Sequence, residues 1–342
     1  MQPYRLLLSG LGNVGRSFLE LIPSQADLLA RRYDISLLIV GAADSGGVAI
    51  APAGLDVPTL IATKQARQSV AVLKDVGQPG MTAVELARQV DADVLLESTL
   101  TNLHDGQPGL DVIRAALGRG MHVVSANKGP LVLAYAELIE LASQPKGPRL
   151  RFSACVGGYL PTVNIGRRDL AGARIKRVEA VLNGTTQGIL RMMETGINYG
   201  DALAEMQRRG LAEADPTLDV EGWDAANKVV ILTNAVLGRP TKLADVMVEG
   251  ITRLTADDLR EAQSHDTRIV LLCLAERVKD DYRLSVRPTA LPLDHPLARM
   301  SGDEMGIVYY TDIGGRTSAT TMERGPQPTA AAMLRDVIES VN

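Results

Sequence analysis

Short apolar runs alternate with amphipathic stretches over the first 130 residues of the chain. Runs of consecutive apolar residues predict strands at 4–10, 35–44, 92–99 and 122–126. Apolar residues at helical spacing predict helices at 14–30, 81–90 and 109–120. Strands that are apolar throughout are typical of a sheet covered on both faces. The pattern therefore predicts parallel strands that are joined by crossover helices.

This alternation stops at residues 143–149, SQPKGPR, which follow a predicted helix at 130–142. Clusters of Pro and Gly mark loops and linkers, so a domain boundary is predicted near residue 145. Beyond it, strands are predicted at 176–184, 268–278, 282–290, 305–313 and 317–323. Helices are predicted at 185–195, 200–209, 220–236 and 329–341. This second part is expected to be an antiparallel α+β domain.

The composition is that of a globular protein with an aliphatic core. Of the 342 residues, 46% are hydrophobic and 3% are aromatic, and the net charge is −4. The basic residues form no stripe, which argues against a nucleic-acid partner. No segment has 18 consecutive apolar residues and the N-terminal apolar run is too short for a signal peptide, so a cytoplasmic protein without a membrane segment is expected. Cys155 and Cys273 lie far apart and the four histidines lack HxxxH spacing, so neither a zinc site nor a disulfide framework is expected.

A glycine motif, GLGNVG, joins the first predicted strand to the first predicted helix. Gly10, Gly12 and Gly15 have the GxGxxG spacing. In this context Gly10 makes the tight turn, Gly12 lets the backbone approach a pyrophosphate, and Gly15 allows the helix to pack on the strand. The helix N-terminus supplies amide donors for the phosphates. The sequence therefore predicts a dinucleotide site, with an ordinary glycine turn as the alternative.

The end of the second predicted strand bears on which dinucleotide binds. An acidic residue there usually holds the adenosine ribose of NAD, whereas an arginine suits the extra phosphate of NADP. Asp44 ends this strand but lies 29 residues after Gly15, and no arginine follows closely. The preference between NAD and NADP is left open.

Two further motifs follow predicted strands. Lys128 lies in SANKGP, at the carboxyl end of a strand, where ligands bind in open α/β sheets. A surface lysine beside a turn glycine is an equal alternative. In VLNGTTQGIL, residues 181–190, a turn with a helix N-cap is favoured over a ligand site.

Residues 213–228, EADPTLDVEGWDAANK, concentrate negative charge before a single lysine. If they lead into a helix, Asp224 and Lys228 are i, i+4 neighbours, a pair worth only about 0.2–0.5 kcal/mol on a surface. Glu213, Asp215 and Asp219, however, have no basic residue nearby to balance them. That excess suits a ligand ammonium group, and a partly desolvated lysine can transfer a proton.

Together, these motifs resemble those of the homoserine dehydrogenase family. GLGNVG, ANKGP, NGTTQ and GLAEADPTLDVEGWDAANK occur in the family's order, and the last is the most diagnostic. The chain is similar to the short form of the family, without a fused aspartate kinase or a C-terminal regulatory domain. The resemblance implies an α/β protein in which a Rossmann-type parallel sheet domain, residues 1–145, binds NAD(P). It also implies an α+β domain, residues 146–325, for catalysis and dimerisation, and a helix at 326–342 that returns to the first domain.

The resemblance also implies roles for individual residues. Lys228 is expected to be the acid/base on the substrate oxygen, Lys128 to polarise the same region beside the nicotinamide, and Asp224 to complete the catalytic set. The residues expected to bind the substrate are Glu213, Asp219, Asp224, Thr185 and Lys128. The residues expected to line the cofactor are Gly10, Gly12, Asn13, Val14, Gly15, Thr99, Lys128, Gly210 and Gly325.

Two segments depart from the family's pattern. The segment that usually reads EAxVGGGIP, and that helps hold a sodium ion, reads SACVGGYLP here, with Ser153 in place of the glutamate and Tyr159 in place of a glycine. We therefore expect at most a weak Na⁺ site, formed by main-chain carbonyls of Val156, Gly158 and Leu160. The late GxGAG-type turn reads ERGPQPTA, so the loop beside the nicotinamide is expected to differ as well.

The activity that the resemblance implies is reversible hydride transfer between NAD(P) and the pair L-homoserine and L-aspartate 4-semialdehyde, a step in threonine and methionine biosynthesis. A small amino-acid substrate and a homodimer or dimer of dimers are expected. One alternative is a dehydrogenase of another amino-acid semialdehyde, which the changes at Ser153 and Tyr159 keep open. Another is a catalytically silent NAD(P)-binding sensor, against which Lys128 and Lys228 argue because a sensor needs no proton transfer.

Overall fold

The computed structural model describes residues 2–145 and 147–341. The chain divides into two compact units, of which the first runs to Tyr159 and resumes at Gly325, and the second spans Leu160–Arg324. Among the described residues, no helix has both the length and the apolar character needed to cross a lipid bilayer.

The first unit is built on a seven-stranded sheet. Its strands are β1 (Gln2–Ser9), β2 (Ile35–Asp44), β3 (Gly47–Ile50), β4 (Gly77–Pro79), β5 (Val94–Glu97), β6 (His122–Ser125) and β7 (Leu150–Arg151). The spatial order is β4-β3-β2-β1-β5-β6-β7. The five strands β2, β1, β5, β6 and β7 pair in parallel, and four of them, all but β7, lie where strands were predicted. The prediction also missed β3 and β4, which add to the other side of the sheet as antiparallel strands.

Helices connect these strands in the manner of a doubly wound sheet. They are α1 (Asn13–Tyr33), α2 (Val57–Gln65), α3 (Ala83–Gln89), α4 (Gly109–Gly118), α5 (Lys128–Ala142) and, at the far end of the sequence, the C-terminal helix (Gln327–Val341). Single turns of 3₁₀ helix occur at Val70–Val72 and Ser153–Cys155. The chain moves outward from β1 to β2 and then returns to β5 on the other side of β1. Ligands bind at such a reversal of strand order, at the carboxyl ends of the strands.

The core of the first unit is aliphatic and includes the C-terminal helix. Leu6 and Leu8 of β1 and Phe18 of α1 are buried in the same cluster as Met333 and Val337 of that helix. The buried apolar residues of the C-terminal helix are three and four positions apart, so they lie on one face of the helix. The last helix therefore completes the unit that the first residues begin.

The boundary between the units lies later than the Pro/Gly-rich segment at 143–149. That segment is only a loop between α5 and β7, and β7 pairs with β6 of the first sheet. The backbone N–H and the hydroxyl of Ser153 donate to the carboxylate of Asp336, at 2.8 and 2.7 Å. Because these bonds hold the segment that follows β7, residues up to Tyr159 belong to the first unit, and the boundary expected near residue 145 is corrected to 159/160.

The second unit has a six-stranded sheet and six helices. Its strands are β8 (Ile175–Val181), β9 (Val246–Val248), β10 (Thr267–Val278), β11 (Asp281–Pro292), β12 (Glu304–Thr311) and β13 (Arg316–Met322), in the order β13-β12-β8-β10-β11-β9. Its helices are α6 (Thr162–Asn164), α7 (Gly184–Met193), α8 (Tyr199–Arg208), α9 (Thr217–Val220), α10 (Trp223–Leu232) and α11 (Ala256–Ser264). Every pairing except β9 with β11 is antiparallel, so the predicted fold class is confirmed.

The helix predicted at 220–236 is divided in the structure. Gly222 separates α9 from α10 with a φ of +87°, a left-handed conformation that favours glycine. After α10, residues Thr233–Leu237 form a π-helical turn, and a similar turn occurs at Ile165–Asp169. Two 3₁₀ turns, Leu243–Asp245 and Pro296–Arg299, complete the unit. The break at Gly222 sets the start of α10, on which Asp224 and Lys228 lie.

Candidate active site

The glycine turn after β1 is closely packed at two of its three glycines. Gly10 has a φ of +92°, and a Cβ there would lie 2.5 Å from the carbonyl carbon of Ser98. A Cβ on Gly15 would lie 2.1 Å from the carbonyl oxygen of Gly10. Distances this short are not tolerated, so these two positions require glycine for the turn to form between β1, β5 and α1.

Gly12 differs, because nothing lies within 4 Å of the position its Cβ would take. It is the N-cap of α1, so the unpaired amide groups of the first helical turn, including those of Asn13 and Val14, begin here. Open space above a helix N-terminus suits a phosphate, since both the amides and the helix dipole favour an anion. The residues present thus fit the pyrophosphate of a dinucleotide.

Thr99 and Lys128 lie at the carboxyl edge of the same sheet, after β5 and β6. Thr99 donates from its backbone N–H and its hydroxyl to Oε1 of the buried Glu97. Lys128 is the first residue of α5 and is half-buried. Asn127 caps that helix by accepting a 3.0 Å bond from the Gly129 N–H. The first unit therefore brings together the glycine turn, Thr99 and the start of α5 along one edge.

Asp44, at the end of β2, is fully engaged with the protein. Its carboxylate accepts hydrogen bonds from Lys64 Nζ (2.6 Å), Ser69 Oγ (2.6 Å) and the backbone N–H groups of Gly46 (2.9 Å) and Val70 (3.0 Å). Burial raises the pKa of Asp44, but these hydrogen bonds outweigh it and hold the pKa below its ordinary value. The carboxylate is thus ionised and satisfied by its neighbours.

The second unit gathers its candidate residues around the start of α10. Lys228 Nζ lies 2.6 Å from Asp224 Oδ2, and the two side chains are only 13% and 17% exposed. Lys228 also donates to the carbonyl oxygen of Leu182 at 2.5 Å. An ammonium group has three N–H donors, and these contacts use two of them. The pair predicted from i, i+4 spacing is therefore formed, but in a partly desolvated place rather than on an open surface.

Asn183 links this pair to the second carboxylate of the acidic segment. Its Nδ2 donates to Asp219 Oδ1 at 2.6 Å and to Asp224 Oδ2 at 3.1 Å. Its Oδ1 caps α7 by accepting from the Thr186 N–H at 2.9 Å. The predicted cap is thus present, and the same side chain also organises the acidic cluster.

Burial raises the pKa of Asp219. The hydrogen bond from Asn183 and the charge of Lys228 act in the opposite direction, whereas the charge of Asp224 adds to the rise. Two carboxylates therefore share one lysine and one amide. Such a cluster has capacity for a further cation, which is the property expected of a site for a ligand ammonium group.

The remaining residues are Thr185 and Glu213, expected to contact the substrate, and Gly210 and Gly325, expected to line the cofactor. Thr185 is half-buried and donates its hydroxyl to the Leu211 carbonyl at 3.0 Å. Gly210, with a φ of +70°, ends the segment after α8 and has open space around it. Glu213 is exposed, and its carboxylate makes no hydrogen bond among the described residues. Gly325, in the first unit, also has a positive φ of +71° and open surroundings just before the C-terminal helix.

The segment with the expected cation carbonyls is held by the C-terminal helix. Arg335 donates to Ser153 Oγ at 2.9 Å and to the Tyr159 carbonyl at 3.1 Å, and its guanidinium lies 5.4 Å from the centre of the Tyr159 ring. Burial raises the pKa of Asp336, the partner of Ser153, to about 6. The chain thus places an arginine and an aspartate at Ser153, where the family pattern has a glutamate. Across residues 2–145 and 147–341, no three His, Cys, Asp or Glu side chains come together as metal ligands.

Two residues, Glu97 and Asn183, organise these sites in ways that were not predicted, since Asn183 was expected only in a turn with a helix cap. Both contact residues far away in the sequence, and Glu97 lies within the strand predicted at 92–99 without any motif of its own. An acidic residue at the end of an otherwise apolar buried strand was the available signal, because such residues are rarely buried without partners.

Comparison with known proteins identifies the family. The sequence profile of the homoserine dehydrogenase family matches residues 161–338. A homoserine dehydrogenase from Methanocaldococcus jannaschii is 36% identical over 338 residues, which cover 98% of this chain and 98% of that protein. The chain belongs to the homoserine dehydrogenase family. The resemblance seen in the four motifs is thereby confirmed.

Two further homoserine dehydrogenases match this chain over nearly its whole length, one in sequence and one in structure. An NAD(+)-dependent homoserine dehydrogenase from Pseudomonas canavaninivorans is 35% identical over 344 residues, covering 99% of this chain and 96% of that protein. A hyperthermophilic archaeal homoserine dehydrogenase in complex with NADPH has a TM-score of 0.85 at 25% identity, covering 99% of this chain and 98% of that one. The likeness to homoserine dehydrogenases thus extends over both units.

Proposed function

We propose that this chain interconverts L-homoserine and L-aspartate 4-semialdehyde with NAD(P), and that Lys228 transfers the proton. Membership of the homoserine dehydrogenase family carries the reaction. The observation that supports the assignment of Lys228 is its place between Asp224 and the Leu182 carbonyl, beside the Asn183-linked carboxylates. This step belongs to threonine and methionine biosynthesis.

Lys228 is suited to both directions of the reaction. Asp224 and the Leu182 carbonyl orient its nitrogen and leave one N–H for the oxygen on the reacting carbon. In the reduction, the ammonium group donates its proton to the aldehyde oxygen as that oxygen becomes a hydroxyl. In the oxidation, the neutral amine accepts the proton of the homoserine hydroxyl. A bound NAD(P) would supply the hydride chemistry, and the residues of this chain would handle the proton.

Asp219 and Asp224 give this site its specificity for an amino acid. Their charges exceed the single positive charge of Lys228, so a substrate ammonium group balances the cluster. A desolvated ammonium needs such a partner, because an unpaired buried charge is strongly unfavourable. Thr185 shapes the pocket beside α7, and Glu213 contributes as an exposed acid on the segment that precedes α9.

The first unit holds the cofactor. Gly10 and Gly15 form the turn, Gly12 leaves room for the pyrophosphate, and the N-terminal amides of α1 at Asn13 and Val14 bind it. Thr99 and Lys128, at the carboxyl edge of the same sheet, would contact the nicotinamide. The family resemblance also implies cofactor roles for Gly325, just before the C-terminal helix, and for Gly210, which belongs to the second unit. The engaged state of Asp44 leaves the choice between NAD and NADP to be measured.

Three finer features extend the proposal. Val156, Gly158 and Leu160 form at most a weak Na⁺ site, because the position of the usual glutamate holds Ser153, whose hydroxyl already contacts Asp336 and Arg335. The chain assembles as a homodimer or dimer of dimers, which light scattering of the purified protein tests. It works in the cytoplasm on a small amino-acid substrate.

The deciding experiment follows the absorbance of the reduced cofactor with L-homoserine as the substrate. Purified protein is assayed with NAD⁺ and with NADP⁺. L-serine, which is one carbon shorter than homoserine, and L-threonine, which has its hydroxyl on C3 instead of C4, are assayed as control substrates. Turnover of homoserine alone is expected. Turnover of another substrate at higher kcat/KM identifies a different dehydrogenase, and cofactor binding without any turnover identifies a sensor.

A further inference from the structure

Three polar residues form a row at the carboxyl ends of three neighbouring central strands of the first sheet. Ser9 of β1 pairs in register with Glu97 of β5, and Glu97 pairs in register with Ser125 of β6. All three side chains are fully buried, at 0% exposure. Each is the last residue of its strand, so the row lies at the carboxyl edge, directly beneath the glycine turn and the start of α5. The catalytic roles proposed above use none of the three.

The carboxyl group of Glu97 has two very different oxygens. Oε1 accepts from the Thr99 N–H at 3.0 Å, from the Thr99 hydroxyl and from Asn127 Nδ2 at 3.3 Å. Oε2 is buried and has no well-formed hydrogen bond to any described group. The same is true of Ser9 Oγ, although the Ser9 hydroxyl is close enough to affect the pKa of Glu97. The two atoms without other partners therefore belong to neighbouring residues of the same row.

The groups that Glu97 contacts belong to, or lie beside, the segments of the first unit that are proposed to bind the cofactor. Ser9 directly precedes Gly10, and Ser98 donates its hydroxyl to the Gly10 carbonyl at 2.8 Å. Asn127 caps α5, whose first residue is Lys128, and it also donates to Thr99 Oγ1 at 3.1 Å. A single side chain thus ties the glycine turn to Thr99 and to the helix that carries Lys128.

We propose that Glu97 is a positioning residue that acts as a neutral carboxylic acid, with Oε1 accepting from Thr99 and Asn127 and the Oε2 hydroxyl donating to Ser9. A protonated carboxyl group is both donor and acceptor, so the Oε2 hydroxyl can pair with the Ser9 oxygen while Oε1 keeps its three hydrogen bonds. Among the described residues, no lysine, arginine or histidine forms an ion pair or a hydrogen bond with Glu97, and an ionised carboxylate buried without a cation is strongly unfavourable. Burial accordingly raises the pKa of Glu97, despite the hydrogen bonds that Thr99 and Asn127 donate to Oε1, which act to lower it.

This inference deepens the cofactor role proposed for the first unit and rests on it. It is tested with Glu97→Gln and Glu97→Leu. Glutamine keeps the shape, accepts through its oxygen and donates through its nitrogen, so it reproduces the bonds of the neutral acid and loses only the ability to ionise. Leucine removes all of them. The matched control is Glu179→Leu in the second unit, where a buried strand glutamate also accepts from several side chains, those of Arg177, His295 and Tyr310.

The readouts are the Kd of NADH by fluorescence titration, which needs no turnover, together with kcat and KM for homoserine. Glu97→Gln is expected to match the wild type in all three. Glu97→Leu is expected to weaken NADH binding and to lower kcat/KM by about tenfold to a hundredfold, because small displacements of positioned groups cost that much. Its KM for homoserine is expected to stay near that of the wild type. Glu179→Leu is expected to lower the thermal midpoint without changing the NADH affinity.

Two results overturn the proposal. One is a Glu97→Gln variant that is as impaired as Glu97→Leu, which shows that the negative charge is required. The other is a folded Glu97→Leu variant with wild-type NADH affinity and kcat. If Glu97→Leu does not fold, Ser9→Ala takes its place and is expected to weaken NADH binding; wild-type NADH affinity in Ser9→Ala then overturns the proposal. Loss of homoserine turnover in the wild type refutes the proposed function instead, while the NADH titrations still decide the role of Glu97.

Discussion

Replacing Lys228 by alanine tests the mechanism most directly, because the structure separates its chemical role from its structural one. The ammonium group lies 2.6 Å from Asp224 Oδ2 and 2.5 Å from the Leu182 carbonyl oxygen. Losing a general acid/base lowers kcat by about 10²–10⁴. Losing the hydrogen bonds of a charged group costs about 1.5–3 kcal/mol of stability. Lys228→Ala is therefore expected to be folded, moderately destabilised and nearly inactive.

Lys228→Arg is the matched variant that separates the two effects. Arginine keeps a positive charge beside Asp224 but does not give up a proton near neutral pH. It is expected to retain most of the stability and to lose turnover to a similar degree as alanine. NADH binding is expected to be unchanged in both variants, because Lys228 acts on the substrate oxygen.

The pH dependence of stability gives a second, independent readout. Burial raises the folded-state pKa of Asp219 above its unfolded value, so Asp219 stabilises the protein below its unfolded pKa, and that contribution is lost as the pH rises through the folded-state pKa. The charge of Lys228 lowers the pKa of Asp219, so removing Lys228 raises that pKa further. A change of one in pKa corresponds to about 1.36 kcal/mol. Thermal midpoints measured from acidic to neutral pH should therefore fall more steeply in Lys228→Ala than in Lys228→Arg. Near-normal turnover in either variant, measured at matched folding, refutes the assignment of Lys228.

Three further expectations concern the cofactor, the substrate and the ion. Gly12→Val is expected to abolish NADH binding, because its side chain occupies the space proposed for the pyrophosphate, and to change the thermal midpoint little, because no protein atom lies there. Gly15→Ala, by contrast, is expected to destabilise the fold by clashing with the Gly10 carbonyl. Unchanged NADH affinity in Gly12→Val would mean that the turn is only structural. Asp224→Asn is expected to lower kcat/KM for homoserine by an amount equivalent to about 2–5 kcal/mol without altering the NADH affinity; wild-type kinetics would mean that the carboxylate serves only the helix. Activity is expected to depend little on sodium at constant ionic strength set with a bulky organic cation, since Ser153 is bonded to Asp336 and Arg335; steep, saturable activation by millimolar sodium would show that the main-chain carbonyls suffice.

The sequence predicts those parts of the fold that depend on local pattern. The parallel strands β1, β2, β5 and β6, the helices α1, α3, α4 and α5 and the glycine turn follow from runs of apolar residues and from glycine spacing. Strands β4, β7 and β9 escape prediction because two or three residues cannot show a period, and strand β3 and helices α2 and α11 are missed as well. The division of the helix predicted at 220–236 follows from Gly222, whose effect depends on a backbone conformation rather than on polarity.

The candidate site is predictable only as a list of residues, because its geometry depends on contacts between distant segments. Asp224 and Lys228 are close in sequence, and their pairing follows from helical spacing. Asn183 reaches Asp219 and Asp224 from a different strand end, and no local rule indicates this. Glu213 shares the acidic pattern of its neighbours, yet it lies exposed at the edge of the segment. Charge patterns thus locate the segment, and tertiary packing decides which of its acids are desolvated.

The return of the C-terminal helix to the first unit has a consequence for the order in which the protein folds during synthesis. The second unit, Leu160–Arg324, is continuous, so all of its residues are translated before those of the helix Gln327–Val341. Until then, the face of the first unit that receives Met333 and Val337 lacks its covering residues. During synthesis, the first unit therefore exposes apolar surface until the C-terminal helix is made, whereas the second unit already has all of its residues. A chaperone that binds exposed aliphatic surface should accordingly associate with chains halted after residue 324 and release them once the helix is supplied, even as a separate peptide.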